Sequence, residues 1–376
     1  MDDKIKVLIA SVLKPADDVR SCYKIGQSLA QTNKYEVNII GFDSKKKVES
    51  KNIFLHPIFK FRRNSLKRLT ASSAVLKIYL QLKPQIIIVN TPELLWVIFL
   101  IKILFGTKII YDIRENYRFN VHQNPIYKGI IKHGAILYIK FTELISKKLM
   151  DGYFLAEDIY EKQLKFIHNQ AYIKLLNKSV IPLKQSYEPV DFSNHEAVRY
   201  IYSGTIGEEY GTLEAIEFCK KLHEINQNTT LMIIGYSSDN QYINKVKSAI
   251  SGINFIHLKT GSKPVAQSEI ISEIKNYDVA LLPYQLNPNI SGRFPTKIYD
   301  YLALGIPMVI PPQKEWIAFL NQYQAGISAD FYNPDIPAFI HEIKSRKFFL
   351  HNPKSDVQWW SQENTLLDFI DKILSK

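Results

Sequence analysis

Short apolar, β-branched runs recur along the chain at 5–10, 36–41, 52–56, 85–90, 108–111, 152–155 and 178–181, separated by helix-length or loop-length stretches. Their alternation with helical periods predicts a parallel, doubly wound α/β sheet. After Pro182 the pattern lapses. Residues 184–197 are polar, contain Pro189 and read as an interdomain linker. The alternation then restarts, with strands predicted at 198–203, 230–234, 253–258, 278–282, 307–310 and 326–328. Helices are expected near 211–226, 239–250, 267–275, 296–304 and 314–323. The pattern predicts two Rossmann-like domains, 1–185 and 196–350. Further helices follow near 335–345 and 358–374. In the last, Trp359, Leu366, Leu367, Ile370 and Ile373 keep helical spacing, and segment 356–376 is expected to cross back onto the first domain.

Composition adds bounds. The 376 residues, 46% of them hydrophobic, suffice for two ordinary cores. Cys22 and Cys219 lie far apart and in no metal-ligand spacing, which argues against a disulfide framework or a structural zinc and for reduced thiols in a cytosol. The first ten residues read as a strand, not a signal peptide. The longest apolar run, Leu94 to Phe105, is interrupted by Lys102 and falls short of the roughly 20 residues of a spanning helix. It reads as a buried or membrane-facing helix.

Net charge is +12, which suits an anionic membrane surface, nucleic acid or phosphorylated substrates. Arg62, Arg63, Lys67 and Arg68 sit beside Phe59 and Phe61, and Lys128, Lys132, Lys140, Lys147 and Lys148 are spread through the Leu/Ile/Tyr-rich stretch 126–149. Such a mixture is either an amphipathic membrane-binding surface or a solvated face with snorkelling lysines. No zinc-finger spacing, ribonucleoprotein-type aromatic motif or helix-turn-helix signal ties the charge to nucleic acid, which is not expected as a partner. The expected location is cytoplasmic, at the inner face of a membrane.

The stretch from Asn287 to Val309 carries the most chemistry. Pro295 can open a helix and Gly305 followed by Pro307 can end it. Arg293 and Lys297 then lie four apart at its N-terminal end, where the macrodipole disfavours cations by a few tenths to about 1 kcal/mol unless an anion sits between them. Two cations, a Gly-flanked loop and a helix N-terminus suit a diphosphate, and Asp300 on the same face suits a ribose. The alternative is an ordinary basic first turn. In the first half, Asp17 or Asp18 can cap the helix after the first strand. Asp112, Arg114 and Glu115 follow a strand's C-terminal end, where ligands of open α/β sheets bind. A salt-bridge cluster is the rival reading. His122 and His133 read as structural.

The segment Tyr202 to Gly211 resembles the first strand-turn-helix of the donor domain in GT-B glycosyltransferases, and Pro295 to Pro307 resembles their nucleotide-binding helix. Tyr111 to Tyr117 resembles their acceptor-domain segment, and the order and spacing are similar to those of the large retaining family 4 throughout. The resemblance implies two doubly wound Rossmann-like domains facing across a cleft. It implies a nucleotide-diphosphate sugar held by the second, a glycan or lipid-linked acceptor held mostly by the first, and a role in polysaccharide biosynthesis without metal or other cofactor. Arg293 and Lys297 would stabilise the leaving diphosphate, with Asp112, Arg114 and Glu115 on the acceptor side beside Asp18 and Arg20. Gly204, Thr205, Tyr210, Ser291, Gly292, Thr296 and Asp300 would contact the donor. There are departures from the family. Thr205 and Tyr210 stand where the family usually has an Arg and a Lys, and Gly292 and Asp300 where many members have two glutamates. Tyr210, Tyr284 or Tyr299 could bind a phosphate or stack on a base, or form core. The competing readings are a non-enzymatic GT-B scaffold and a sugar-nucleotide epimerase or hydrolase.

Overall fold

The alternating runs become two parallel sheets. The computed structural model describes residues 4–375 apart from 45–47, 49, 62–69, 124–128, 262–263 and 288–291. It separates into one unit, residues up to Val180 together with those from Trp359 onward, and a second, Ile181–Gln358.

The first unit holds β1 (Ile5–Pro15), β2 (Tyr35–Phe42), β3 (Ile53–Phe59), β4 (Ile86–Val89), β5 (Lys108–Ile113), β6 (Gly152–Leu155) and β7 (Tyr172–Lys174). Their order is β3-β2-β1-β4-β5-β6-β7, with every pairing parallel. A π-helical turn, Val19–Gly26, runs into α1 (Gln27–Gln31); α2 (Ala71–Leu82), α3 (Leu95–Phe105), α4 (Tyr117–Gln123), α5 (Gly129–Leu149) and α6 (Ile159–Gln163) follow. Along β1, Leu8, Ala10 and Val12 enter one core while Val7 and Ile9 enter the other. Burial on both faces is why this strand reads as a continuous apolar run.

The second unit holds β8 (Val190–Asp191), β9 (Arg199–Thr205), β10 (Thr230–Tyr236), β11 (Ile256–Thr260), β12 (Val279–Leu281), β13 (Met308–Ile310), β14 (Gly326–Ser328) and β15 (Lys347–Phe348). Its main sheet runs β11-β10-β9-β12-β13-β14, again all parallel. The helices are α7 (Thr212–Ile225), α8 (Asn240–Ala249), α9 (Gln267–Ile274), α10 (Thr296–Leu304), α11 (Lys314–Asn321) and α12 (Ile336–Ser345). In the first unit, α13 (Glu363–Leu374) follows a 3₁₀ turn, Trp359–Gln362, that replaces the first turn of the helix expected from 358. Trp359 is fully buried and its indole donates to Ser28 Oγ at 2.9 Å.

Two expectations are corrected. Residues 178–181 are not a ladder strand; the seventh strand is β7, whose Tyr153↔Tyr172 register sets it beside β6. Val180 is apolar because it packs on the core, and Ser179 uses its carbonyl to accept from the Trp359 N–H at 2.7 Å. The stretch 184–197 is not a free linker. Within it β8 pairs antiparallel with β15, and Phe192 packs on Phe348 with ring centroids 5.8 Å apart.

Candidate functional site

In the second sheet the strand order reverses direction between β9 and β12, and a ligand of an open α/β sheet binds outside the carboxyl ends of strands at such a point. β9 is pinned there. The Tyr202 hydroxyl donates to the Thr205 carbonyl at 2.5 Å, and Ser203 Oγ shares a 2.8 Å hydrogen bond with the Tyr301 hydroxyl of α10. The chain then turns through Gly207, whose N–H donates to Thr212 Oγ1 at 3.2 Å, into a 3₁₀ turn, Glu208–Tyr210. Gly211 precedes α7 with φ +69°, and a Cβ there would stand 1.8 Å from the Pro283 carbonyl oxygen. No other residue fits without moving backbone. That contact sets the start of α7 against the chain leaving β12.

Helix α10 supplies the charged groups. Its C-terminus closes in a Schellman pattern, with Gly305 N–H donating to the Leu302 carbonyl and Ile306 N–H to the Tyr301 carbonyl. Tyr187 also donates to the Ala303 carbonyl at 2.9 Å. The N-terminus, behind Pro295, has no side-chain cap, so its leading N–H groups keep their donor capacity. Trp316, wholly buried, donates its indole N–H to the Arg293 carbonyl at 2.9 Å and fixes the approach to the helix.

Lys297 is half-buried, and its Cε lies 3.2 Å from where a Cβ on Gly204 would be, so the side chain crosses the end of β9. Its ammonium has no hydrogen bond or ion pair among the described residues. Desolvation pulls its pKa below the ordinary lysine value, and the nearby Asp300 carboxylate only partly opposes this. A partly desolvated cation at a positive helix end is a standing demand for an anion. Asp300 is 7% exposed.

Among the other predicted site residues, Arg293, Gly204, Gly292 and Thr296 are half-buried and Thr205 is exposed. Tyr210, also half-buried, packs edge-on against Tyr284 at 5.4 Å, and Tyr284 in turn against Trp316 at 5.9 Å. Tyr299 is core, 5% exposed and packed between Phe294 and Phe319, which removes it as a ligand candidate. Ser291 lies outside the described residues.

In the first unit the rival reading prevails for two acids and their arginines. Asp112 is 0% exposed, and both its carboxylate oxygens are taken, by Arg20 at 2.8–3.1 Å and by Arg114 Nε at 2.7 Å. Arg114 also pairs with Asp18 at 2.7 Å and donates to Ser21 Oγ, while Arg20 donates to the Leu175 carbonyl and Asn177 Oδ1. Asp18 caps the π-helical turn by accepting from the Ser21 N–H at 3.1 Å. Burial pushes the Asp112 and Asp18 carboxyls up, but the adjacent guanidiniums outweigh it and hold both below the ordinary range. Asp112 and Arg114 therefore tie elements together, with Asp112 wholly buried and Arg114 11% exposed. Glu115 remains half-buried, accepting from Asn120 Nδ2 at 2.9 Å.

The sequence reading missed three residues at this sheet's own reversal point, between β1 and β4. Ser11 Oγ, Asn90 Nδ2 and Thr91 Oγ1 are buried without a hydrogen-bond partner among the described residues. Buried polar atoms are rarely left so, which marks a place where a ligand hydroxyl would fit. The visible signal was Asn90-Thr91-Pro92 directly after the run Ile86–Val89. Among the described residues no group of three or more His, Cys, Asp or Glu is placed to hold a metal ion.

The sequence matches no family model and no curated protein. Solved structures do match. Sucrose-phosphate synthase from Thermosynechococcus elongatus aligns with a TM-score of 0.70 at 11% identity, over 99% of this chain and 100% of that one. Anabaena HepE in complex with UDP-glucose aligns at 0.64 and 12%, over 98% and 100%. The catalytic domain of Starch Synthase IV from Arabidopsis thaliana, bound to ADP and acarbose, aligns at 0.60 and 11%, over 100% of both chains. At these identities the likeness establishes the fold, which is GT-B.

Proposed function

We propose that this protein is a glycosyltransferase that moves a sugar from a nucleotide-diphosphate sugar to a glycan or lipid-linked acceptor, with retention and without a metal. The observation that carries the reading is the half-buried Lys297 ammonium, unpaired among the described residues, at the uncapped N-terminus of α10 beside Gly204. When the bond from the anomeric carbon to the diphosphate oxygen breaks, negative charge grows on the leaving diphosphate. Lys297, Arg293 and the first N–H groups of α10 meet that charge, an electrostatic role that usually dominates such catalysis. Asp300 accepts hydrogen bonds from the ribose. Thr205 and Tyr210 offer neutral donors where the related family carries cations, so the leaving-group charge rests on Arg293 and Lys297. Two of the similar structures are described with UDP-glucose or ADP bound, which supports a nucleotide-sugar donor while leaving the base open.

Acceptor hydroxyls have partners in Ser11, Asn90, Thr91 and Glu115 of the first unit, with the Asp112 cluster holding their strands in place. Contact with an anionic membrane is part of the same reading. No helix among the described residues is long and apolar enough to cross a membrane. However, α3 exposes Trp96, Phe99, Leu100, Ile103 and Leu104, α5 exposes Ile130, Leu137, Phe141 and Leu144, and lysines are interspersed along α5. Phe59 and Phe61 are not part of that face, since both pack with Phe42, and Arg62, Arg63, Lys67, Arg68 and Lys128 lie outside the described residues.

The discriminating experiment is turnover of a radiolabelled sugar nucleotide with and without acceptor. Label transferred to the acceptor, abolished by Lys297→Ala, is expected. Donor consumed equally without acceptor would identify an epimerase or hydrolase. Binding without turnover would identify the scaffold that the Thr205 and Tyr210 replacements suggest.

A further inference from the structure

The first unit contains a second charged site that neither the donor chemistry nor the orphaned polar atoms involve. A cavity of about 870 Å³ lies along α4, α5 and the end of α6, and Arg118, Lys140, Lys147 and Lys165 all line it. Among the described residues none of these four makes a hydrogen bond or ion pair through its side chain. The carboxylate on the same wall is Glu143. Burial pushes its pKa up against the pull of Arg118 and Lys140, and one carboxylate facing four cations leaves the wall net positive. Like charges in excess over their counterions repel one another, and a multiply charged anion removes that repulsion.

The cavity is not polar throughout, because Phe119, Ile136, Leu144 and Phe166 share its walls. It is also not isolated. A small cavity of about 20 Å³ shares Glu143, Leu164 and Phe166 with it, and shares Leu95 and Thr142 with a third cavity of about 200 Å³. That third cavity is almost wholly apolar, bounded by Trp96, Phe99, Phe141 and Ile145 between α3 and α5. Trp96 and Phe141 face each other there with ring centroids 6.3 Å apart. A basic cavity and a greasy one, each sharing wall residues with the small cavity and lined by the same helix α5, match the polarity profile of one molecule.

We infer that this run of cavities binds a phosphorylated amphiphile, with its phosphate among Arg118, Lys140, Lys147 and Lys165 and its hydrocarbon chain along Trp96, Phe99 and Phe141. The site deepens the acceptor half of the proposed function and rests on it for the identification of this amphiphile as the lipid-linked acceptor. The charge excess selects phosphate over a neutral sugar head. The apolar continuation selects a lipid over free phosphate.

The test titrates the full chain with dodecyl phosphate below its micelle concentration, in parallel with dodecyl maltoside and with inorganic phosphate. Dodecyl phosphate should bind at least about tenfold more tightly than either. Lys140→Gln/Lys147→Gln should lose about tenfold toward dodecyl phosphate and nothing toward dodecyl maltoside, as removal of one exposed and one half-buried cation from the phosphate would give. The chain should also blue-shift a tryptophan emission component that Trp96→Phe removes. Equal affinity for dodecyl maltoside would reduce the site to a greasy surface. Inorganic phosphate binding as tightly would make it a free-phosphate site, and an unaffected double variant would place the ligand elsewhere; each result overturns the inference. Nucleotide affinity measured on the same variants separates the two proposals. It should be unchanged in Lys140→Gln/Lys147→Gln, and Lys297→Ala should keep its affinity for dodecyl phosphate.

Discussion

Lys297 and Asp112 are both ionisable side chains near the C-terminal ends of parallel strands, and what surrounds them gives them opposite uses. Asp112 is saturated by Arg20 and Arg114 in a buried network, whereas Lys297 meets only the field of Asp300. Spacing along the sequence exposed Lys297 and Asp300, because a Pro-opened, Gly-closed helix fixes which residues share its first turns. It did not distinguish a network from a site at Asp112, since that depended on Arg20, brought from 92 positions away. The network carries a prediction. Asp112 and Asp18 have folded-state pKa values below the ordinary 3.8, so their stabilising contribution is present above that value and is lost as pH falls through the lowered one. Asp112→Asn should cost about 3–5 kcal/mol at neutral pH by leaving Arg20 buried without its carboxylate. It should also flatten the loss of stability below about pH 4. Urea unfolding at neutral and acid pH checks both, and a neutral-pH loss under about 1 kcal/mol would mean the network is dispensable.

At the scale of elements, α10 spans Thr296–Leu304, the bounds its punctuation predicts, and α7 begins at Thr212 directly after Gly211. Both were legible because Pro and Gly stop the chain for local backbone reasons. Strands β7 and β8 were not legible. β7 is a half-buried edge of three residues and β8 a pair of two, too short to show a period of their own, and each is specified by the partner strand it meets. Gly211 is where an element boundary becomes a functional one. Gly211→Ala would force a Cβ into the Pro283 carbonyl from a left-handed backbone, costing about 1–3 kcal/mol or more and shifting the start of α7. Thermal melting should drop and nucleotide affinity should fall with it. A variant that melts like the wild type would show that this turn tolerates displacement.

For the whole molecule, two parallel sheets were readable from the alternation of apolar runs, all but the edge strand β7 of the first. Which apolar residues stay outside was not, because Leu95 and Trp96 look alike in a periodicity argument while only the first is buried. The exposed α3–α5 face and the net charge of +12 together predict sedimentation with vesicles containing anionic lipid, weakening as salt rises. Equal sedimentation with neutral vesicles would remove the electrostatic part of that contact. The central claim lies in the second unit, and calorimetric titration with UDP, GDP, ADP and their sugar conjugates, before and after adding magnesium, tests it most directly. One nucleotide should bind without metal. Its affinity should fall as pH rises through the lowered pKa of Lys297, because only the protonated ammonium pairs with diphosphate, and Lys297→Ala should weaken it by at least about tenfold. Absence of binding to every nucleotide, or binding indifferent to Lys297→Ala, would contradict the account.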